Sequence, residues 1–363
     1  MVIAPDKFAG TLSAVEAAAA IADGWRRTAP SAELVTVPMS DGGPGFVDVL
    51  HAALGGDLIA VTVPDPYGRP VPATVLRVGD TAYIESAQAV GLHLTPGAER
   101  DARRGSSLGL GELLRSAVQD GARRVVVGAG GSATNDGGAG VLAALGATAE
   151  GGALDAGPDG LAGLTGLDLE PAHRTLAGVE LVLASDVDNP LLGLFGATKT
   201  YGPQKGLAED DLVAVDGLLT GFADLAGRKV ATEKGAGAAG GIGYALLLLG
   251  ASRRPGVELV AEAVDLGGLL AGADVVVTGE GAFDFSSRSG KVPYGVAQAA
   301  SVALAPCIAL AGRVLVGSRE MRALGIEAAY AVVDAYGEDR ALGAPAEALR
   351  DLAERIARTW GRE

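Results

Sequence analysis

The segment SDGGPGF at Ser40–Phe46 returns in altered form as NDGGAGV at Asn135–Val141, each time between a strand-like and a helix-like run. AELVTVP at Ala32–Pro38 precedes the first copy and RRVVVG at Arg123–Gly128 the second, while VDVLHAALGG and VLAALG follow. Strand and helix patterns alternate in this way nearly throughout, which predicts an α/β architecture with a largely parallel sheet. The turns also suit chemistry. Glycine lets backbone N–H groups approach a ligand, a helix N-terminus favours an anion, and an aspartate can hold Mg2+ or take a proton. For one copy alone, an N-cap aspartate is the simpler reading. Two copies, among other acidic and glycine-rich turns, point to a phosphate site.

MVIAP reads as a strand, and TLSAVEAAAAIADGWRRTAP as a helix capped by Thr11 or Ser13 and ended before Pro30. The rhythm breaks at Leu58–Leu92, where LIAVTV, ATVLRV and TAYIES are short strands separated by DPYGRP and VGD. That is antiparallel character and suggests passage into a second domain. A helix at Ser106–Asp120, a surface connection over 150–175, the strand VELVLASDV and the helix DDLVAVDGLLTGFADLAG follow. ADVVVTGEG, PCIALAG and AAYAVV then resume the opening rhythm as strands, and APAEALRDLAERIARTWG closes the chain as a helix. The expected division is a discontinuous α/β domain of residues 1–70 plus 270–363, with a second α/β domain, 71–269, inserted.

With 363 residues there is enough chain for two cores, and at 48% hydrophobic but only 4% aromatic residues these must be built from Ala, Val, Leu and Ile. The 56 glycines, about twice the usual share, gather at turns, which fits many tight strand-to-helix connections. A formal charge of −15 argues against nucleic acid as a partner, though it leaves room for an anionic substrate held by local lysines and amides. Cys307, the single cysteine, is expected to be a buried strand residue, which removes an intrachain disulfide and a cysteine metal site. His51, His93 and His173 stand in unrelated contexts, against a histidine metal site or triad. The N-terminus lacks signal-peptide character, and the uncharged Gly235–Ala251 is too short and glycine-rich to span a bilayer. The expectation is a cytoplasmic protein with no membrane partner.

In open α/β sheets functional groups collect at the carboxyl ends of strands. Here those positions carry Asp6 and Lys7, then Asp41 with Gly42 and Gly43, then Glu85 and Gln88. Further on come GAGGSATNDGG, with Ser132, Thr134, Asn135, Asp136, Gly137 and Gly138, then Asp186, Asp188 and Asn189, then Glu280 and Asp284. Lysines are scarce, so Lys205 in YGPQKG and Lys291 in SRSGKVPYG stand out as phosphate partners. Neither has P-loop spacing. GAGAAG at Gly235–Gly240 matches a dinucleotide fingerprint literally but follows the charged KVATEK, so Gly240 and Gly241 read better as a loop approached by nucleotide or substrate. Metal-binding carboxylates, amide-rich cradles and one or two lysines suggest phosphoryl transfer from a Mg2+-nucleotide.

The motifs APDKFAGTLSAVEAA, PMSDGGPG, ESAQAVGL, GAGGSATNDGGAG, ASDVDNPLLG, YGPQKG, GAGAAGGIG, VVTGEG and SGKVPYGVA, in that order, resemble those of the bacterial glycerate kinases from residue 1 to about residue 335. The resemblance implies phosphorylation of D-glycerate with ATP and Mg2+, 2-phosphoglycerate being favoured by family membership alone. It also implies two α/β domains, one flavodoxin-like with a largely parallel sheet and one with a mixed sheet, and an active site in the cleft between them. It carries over Asp6, Asp41, Asn135, Asp136, Asp186, Asp188, Gln204, Lys205, Glu280, Asp284 and Lys291. On that basis Asp186 and Asp188 hold Mg2+ or activate the glycerate hydroxyl, while Lys205 and Lys291 neutralise phosphate or the substrate carboxylate. Oligomeric state stays open, with a homodimer allowed.

The chain departs from the family pattern at four named positions. Ala9 and Ala282 stand where the family commonly has Lys and Arg, Pro44 where it has Glu, and Ser286 where it has Gln. The turn before the helix GELL is GSSLGLGELL rather than rich in Thr and Tyr. Two absent cations remove two potential anion contacts, each worth roughly 1.5–3 kcal/mol. Two alternatives therefore stay open: a kinase of another small hydroxy acid, and a non-catalytic ligand-binding paralogue. An NAD-dependent dehydrogenase rests on GAGAAG alone.

Overall fold

The computed structural model describes residues 1–284 and 291–361; Ser286 lies outside them. The chain forms two compact units: Met1–Asp41, Asp48–Gly55 and Pro255–Glu363 make the first, Gly42–Val47 and Gly56–Arg254 the second. β1 (Val2–Ile3) and β2 (Val35–Thr36) belong to the first unit. The second holds β3 (Asp57–Pro64), β4 (Pro70–Val78), β5 (Thr81–Glu85), β6 (Arg124–Gly128), β7 (Thr148–Glu150), β8 (Gly166–Asp168), β9 (Glu180–Ala184) and β10 (Ser252–Arg254). The first unit resumes with β11 (Val276–Thr278), β12 (Ala282–Phe283), β13 (Cys307–Ala311), β14 (Arg313–Val314) and β15 (Ala328–Ala331).

In the first unit β15-β13-β11-β1-β2 form a five-stranded sheet, parallel at every pairing. Counted along this unit the order is 2-1-3-4-5, the flavodoxin-like order, and it reverses between β1 and β11. The second unit has a six-stranded mixed sheet, β10-β9-β6-β5-β4-β3. Its β3, β4 and β5 are antiparallel neighbours, and β5, β6, β9 and β10 run parallel. β3 pairs with β4 along its whole length, from Asp57–Arg77 to Pro64–Pro70. Splitting this hairpin would strand a ladder of backbone groups, so the long segment of the second unit runs from Gly56 rather than from near residue 71. Its other bound falls at Arg254 rather than near 269, because β10 closes the sheet on β9. Residues 150–175 are also more ordered than a surface connection, since β7 and β8 pair antiparallel there and a helix follows at Glu170–Thr175.

Both cores are built mainly from Ala, Val, Leu and Ile, as the scarcity of aromatic residues requires. In the first unit the helix Ala14–Thr28 packs so closely on Pro345–Trp360 that a Cβ at Gly24 would overlap the carbonyl of Arg350. Ser13, not Thr11, starts the first of these helices. Its hydroxyl accepts from Glu16 N at 3.2 Å and its own N–H donates to Glu16 Oε2 at 2.9 Å, a reciprocal capping box. Ser13→Ala is expected to cost about 1 kcal/mol of stability, read from urea unfolding. Cys307 is buried on β13, and burial pushes its thiol up to about 12. Among the described residues no helix is long and apolar enough to cross a membrane.

Candidate active site

In the first unit, the ends of β1 and β2 bring Asp6, Lys7 and Asp41 together. Lys7 Nζ lies 3.4 Å from Asp6 Oδ1 and 3.3 Å from Asp41 Oδ1, and the Lys7 N–H donates to Asp6 Oδ1 at 2.7 Å. Burial raises the Asp6 carboxyl to about 6 although Lys7 pulls it down. Burial alone would lower the Lys7 ammonium, but the Asp6 and Asp41 carboxylates outweigh it and hold it above its ordinary value. β11 ends in the buried Glu280. Lys291, the residue before the helix Val292–Val302, sets its Nζ 3.8 Å from Glu280 Oε2 and 3.9 Å from Asp284 Oδ1, outside hydrogen-bond range.

In the second unit the two glycine-rich turns do packing work that the sequence pattern does not reveal. A Cβ on Gly42 (φ +87°) would stand 2.7 Å from the Ala184 carbonyl at the end of β9, and one on Gly130 would stand 2.7 Å from Gly43 Cα. Glu85, at the end of β5, accepts from the N–H groups of Gly45 (3.0 Å) and Val47 (3.4 Å) and so caps the helix Phe46–Leu54. Gln88 accepts from Thr74 N at 2.7 Å. The second turn is wholly interior. Asp136 Oδ2 accepts from the N–H and hydroxyl of Ser107, both at 2.8 Å, and from Gly140 N at 3.2 Å, while Oδ1 accepts from Gly138 N at 2.9 Å. Burial raises its carboxyl, with those donors opposing. Gly137 lies against Leu219 and Phe222, and a Cβ on Gly138 would overlap Ala245. The acid of this turn thus braces the backbone of two loops.

What the second turn does hold in place is Lys205, 2% exposed. Its Nζ donates to Thr134 O at 2.7 Å and Ser132 Oγ at 3.0 Å. Burial lowers its pKa to about 7, with the Asp136 carboxylate pulling the other way. Gly240 (φ +74°) must lack a side chain because a Cβ would overlap the Thr134 carbonyl and stand 2.7 Å from Lys205 Nζ, and Gly241 packs on Gly137. GAGAAGG is thus the floor under this lysine. Asn135 Nδ2 donates to Thr198 Oγ1 at 2.9 Å, yet Thr134 Oγ1 and Asn135 Oδ1, on fully buried residues, have no hydrogen-bond partner among the described residues. A cavity of about 100 Å³ opens at Ser132, Gln204 and Lys205, with Leu92, Ala129 and Val187 among its apolar lining.

The strand-end aspartate Asp188 lies among cations. Asp188 is 58% exposed and receives Lys234 Nζ at 2.9 Å and Arg253 at 2.7 Å; the Lys234 bond and the two positive charges hold its carboxyl below the ordinary range. Asn189 accepts from Tyr201 Oη at 2.8 Å and donates to Phe195 O at 2.8 Å. Among the described residues no group of three or more His, Cys, Asp or Glu is disposed to hold a metal by itself.

A model of the glycerate kinase family matches residues 1–361. The chain belongs to the glycerate kinase family. It is 42% identical over 343 residues to a glycerate kinase of Bacillus subtilis (strain 168), covering 92% of this chain and 90% of that one. It is 40% identical over 347 residues to a glycerate 2-kinase of Escherichia coli (strain K12), covering 93% and 91%. A solved chain, provisionally named glycerate kinase 2, from Salmonella typhimurium LT2 superposes with a TM-score of 0.82 at 39% identity, over 99% of this chain and 97% of that one. Family membership makes the chain a phosphotransferase.

Within this glycerate kinase family member, the expected residues fall into three groups. Asp6, Lys7 and Asp41 meet, as do Glu280, Asp284 and Lys291, in the first unit. Ser132, Thr134, Lys205 and Gly240 meet in the second. Asp136, Gly137, Gly138 and Gly241 serve packing. Ser107 and Thr198 escaped the sequence reading because each acts through a partner far along the chain, Asp136 and Asn135.

Proposed function

We propose that the chain transfers the γ-phosphoryl group of ATP, as its Mg2+ complex, to the 2-hydroxyl of D-glycerate in the cytoplasm. The observation that best supports this is the buried polar cluster around Lys205 in the second unit. A buried ammonium holds the Thr134 carbonyl, and the hydroxyl of Thr134 and the amide oxygen of Asn135 have no hydrogen-bond partner among the described residues. Buried polar atoms are rarely left unpaired, and a small hydroxy acid offers what these need: a carboxylate for Lys205 and Thr134, and a hydroxyl donor for Asn135 Oδ1. Removing Lys205 from water in advance lets its charge act at low dielectric on an anionic ligand.

Mg2+ is usually held by one or two carboxylates together with substrate phosphates. Glu280 and Asp284, which share Lys291, and Asp186 are the carboxylates that would hold it, since Asp188 already serves two cations. When bound, the ion neutralises charge on the β- and γ-phosphates. Lys291 and Lys7 then supply ammonium groups for phosphate oxygens, and Asp6, its carboxyl raised to about 6, can take a proton near neutral pH.

Incubation with D-glycerate, ATP and Mg2+, followed by phosphorus and proton NMR, is expected to show a phosphate coupled to the C2 proton. Coupling to the C3 protons would replace the product by the 3-phosphate. Glycerate binding without any transfer would favour the non-catalytic reading, and faster turnover on tartronate, hydroxypyruvate or L-glycerate would change the substrate.

A further inference from the structure

We infer that an apolar cavity at the carboxyl edge of the parallel sheet in the first unit seats the nucleoside of the phosphoryl donor, an extension that rests on the kinase reading above. The cavity has a volume of about 230 Å³. Its walls are the segments that leave successive strands of one sheet: Phe8 and Ala9 beyond β1, Gly281 beyond β11, Gly312 beyond β13 and Val332 beyond β15, with Leu349 behind them. Ligands of open α/β sheets sit at the strand carboxyl ends, at the point where the order reverses. Here that point is between β1 and β11.

The lining argues for a flat, largely apolar group. Phe8, Val332 and Leu349 supply buried hydrocarbon, and the exposed Leu342 lies on the same cavity. Ala9, Gly281 and Gly312 add only small groups to the lining. The polar side chains of the lining include Arg313 and Glu338, which pair with each other at partial exposure and can turn a donor or an acceptor to a base edge or a ribose hydroxyl. A three-carbon acid has no apolar surface to fill such a space.

The strongest constraint is covalent. Asp6 and Lys7 immediately precede Phe8 and Ala9, and Glu280 immediately precedes Gly281. The same loops therefore carry an apolar slot and, one or two residues away, the cation–carboxylate clusters of Lys7 and Lys291. A ligand matching both has a flat apolar end joined to a multiply anionic end. Inorganic phosphate donors offer only the second, whereas a nucleoside triphosphate offers both.

Ala9 and Ala282 are exposed members of the lining, so enlarging them fills the cavity without disturbing the core. Fluorescence titration with a ribose-labelled ATP analogue, and its displacement by inorganic tripolyphosphate, would compare the full-length protein with Ala9→Leu and Ala282→Leu. The expected result is nucleotide affinity weakened about tenfold or more, with tripolyphosphate affinity, the KM for glycerate and the melting temperature of each variant held near wild type. Equal weakening of nucleotide and tripolyphosphate, or no weakening in either variant, overturns the assignment. If the wild-type protein phosphorylates glycerate and the filled variants bind ATP normally, the inference fails alone. If the wild-type protein binds no ATP, it fails together with the kinase reading.

Discussion

Asp136→Ala should lose about 3–5 kcal/mol of folding stability, read as a lower urea midpoint by circular dichroism, although the residue lies in the most family-specific segment of the chain. Its carboxylate is fully buried and raised by that burial, so keeping the charge inside is itself costly. Deletion removes that cost but strands the N–H groups of Ser107, Gly138 and Gly140, none of which can turn to water. Ser107 Oγ also accepts from Val141 N at 3.1 Å, so its loss of orientation would spread into the helix that follows the turn. Unsatisfied buried donors to a former anion each cost more than an ordinary hydrogen bond returns, and three of them outweigh the relief of desolvation. Asp136→Asn keeps the shape but turns an NH2 group against N–H donors, and should lose ~2 kcal/mol. In both variants the folded fraction should keep kcat within about threefold of wild type. A fall of more than about 100-fold in folded protein would instead place Asp136 on the substrate.

That contrast also marks what sequence could and could not supply. Periodicity was enough for the parallel sheet around β1, because apolar strand runs and glycine-ended helices repeat there, and for the antiparallel turn of events over β3, β4 and β5. The capping box of Ser13 and Glu16 is local and readable for the same reason. The two Asp-Gly-Gly turns look alike in sequence yet Asp41 faces Lys7 while Asp136 faces Ser107, a difference set by partners that lie far away along the chain. Asp188 is claimed by Lys234 and Arg253, 46 and 65 positions on, and no local motif announces either. Ala9 and Ala282 read in sequence as two lost cations; in the structure both line one cavity. The domain bounds moved because strand pairing, not hydropathy, decides where β3 belongs.

Lys205→Met is expected to reduce kcat/KM for glycerate by about 100-fold or more, the usual consequence of removing one partner of a buried charged contact. The variant should nevertheless fold. Burial depresses the Lys205 ammonium from 10.5 to about 7, which amounts to a cost on the order of 5 kcal/mol to the folded protein while the group is charged. Between those two values the unfolded chain binds more protons than the folded one, so stability of the wild type rises with pH from about 7 towards 10.5. The cost is present in full below pH 7 and gone above 10.5. Lys205→Met has no such dependence and should equal or exceed wild-type stability at pH 6, despite losing the bonds to Ser132 and the Thr134 carbonyl. Activity should move the opposite way. If the ammonium receives the substrate carboxylate, glycerate affinity in the wild type falls about tenfold per pH unit above 7, until the bound anion restores the proton. Parallel urea titrations and steady-state kinetics from pH 6 to 10 would read both. A variant that keeps the wild-type break in KM near pH 7, or loses less than about threefold in kcat/KM, would show that the buried lysine only braces the Thr134 turn. A buried cation that destabilises its own fold and is needed for turnover is otherwise hard to account for except as a preorganised anion site.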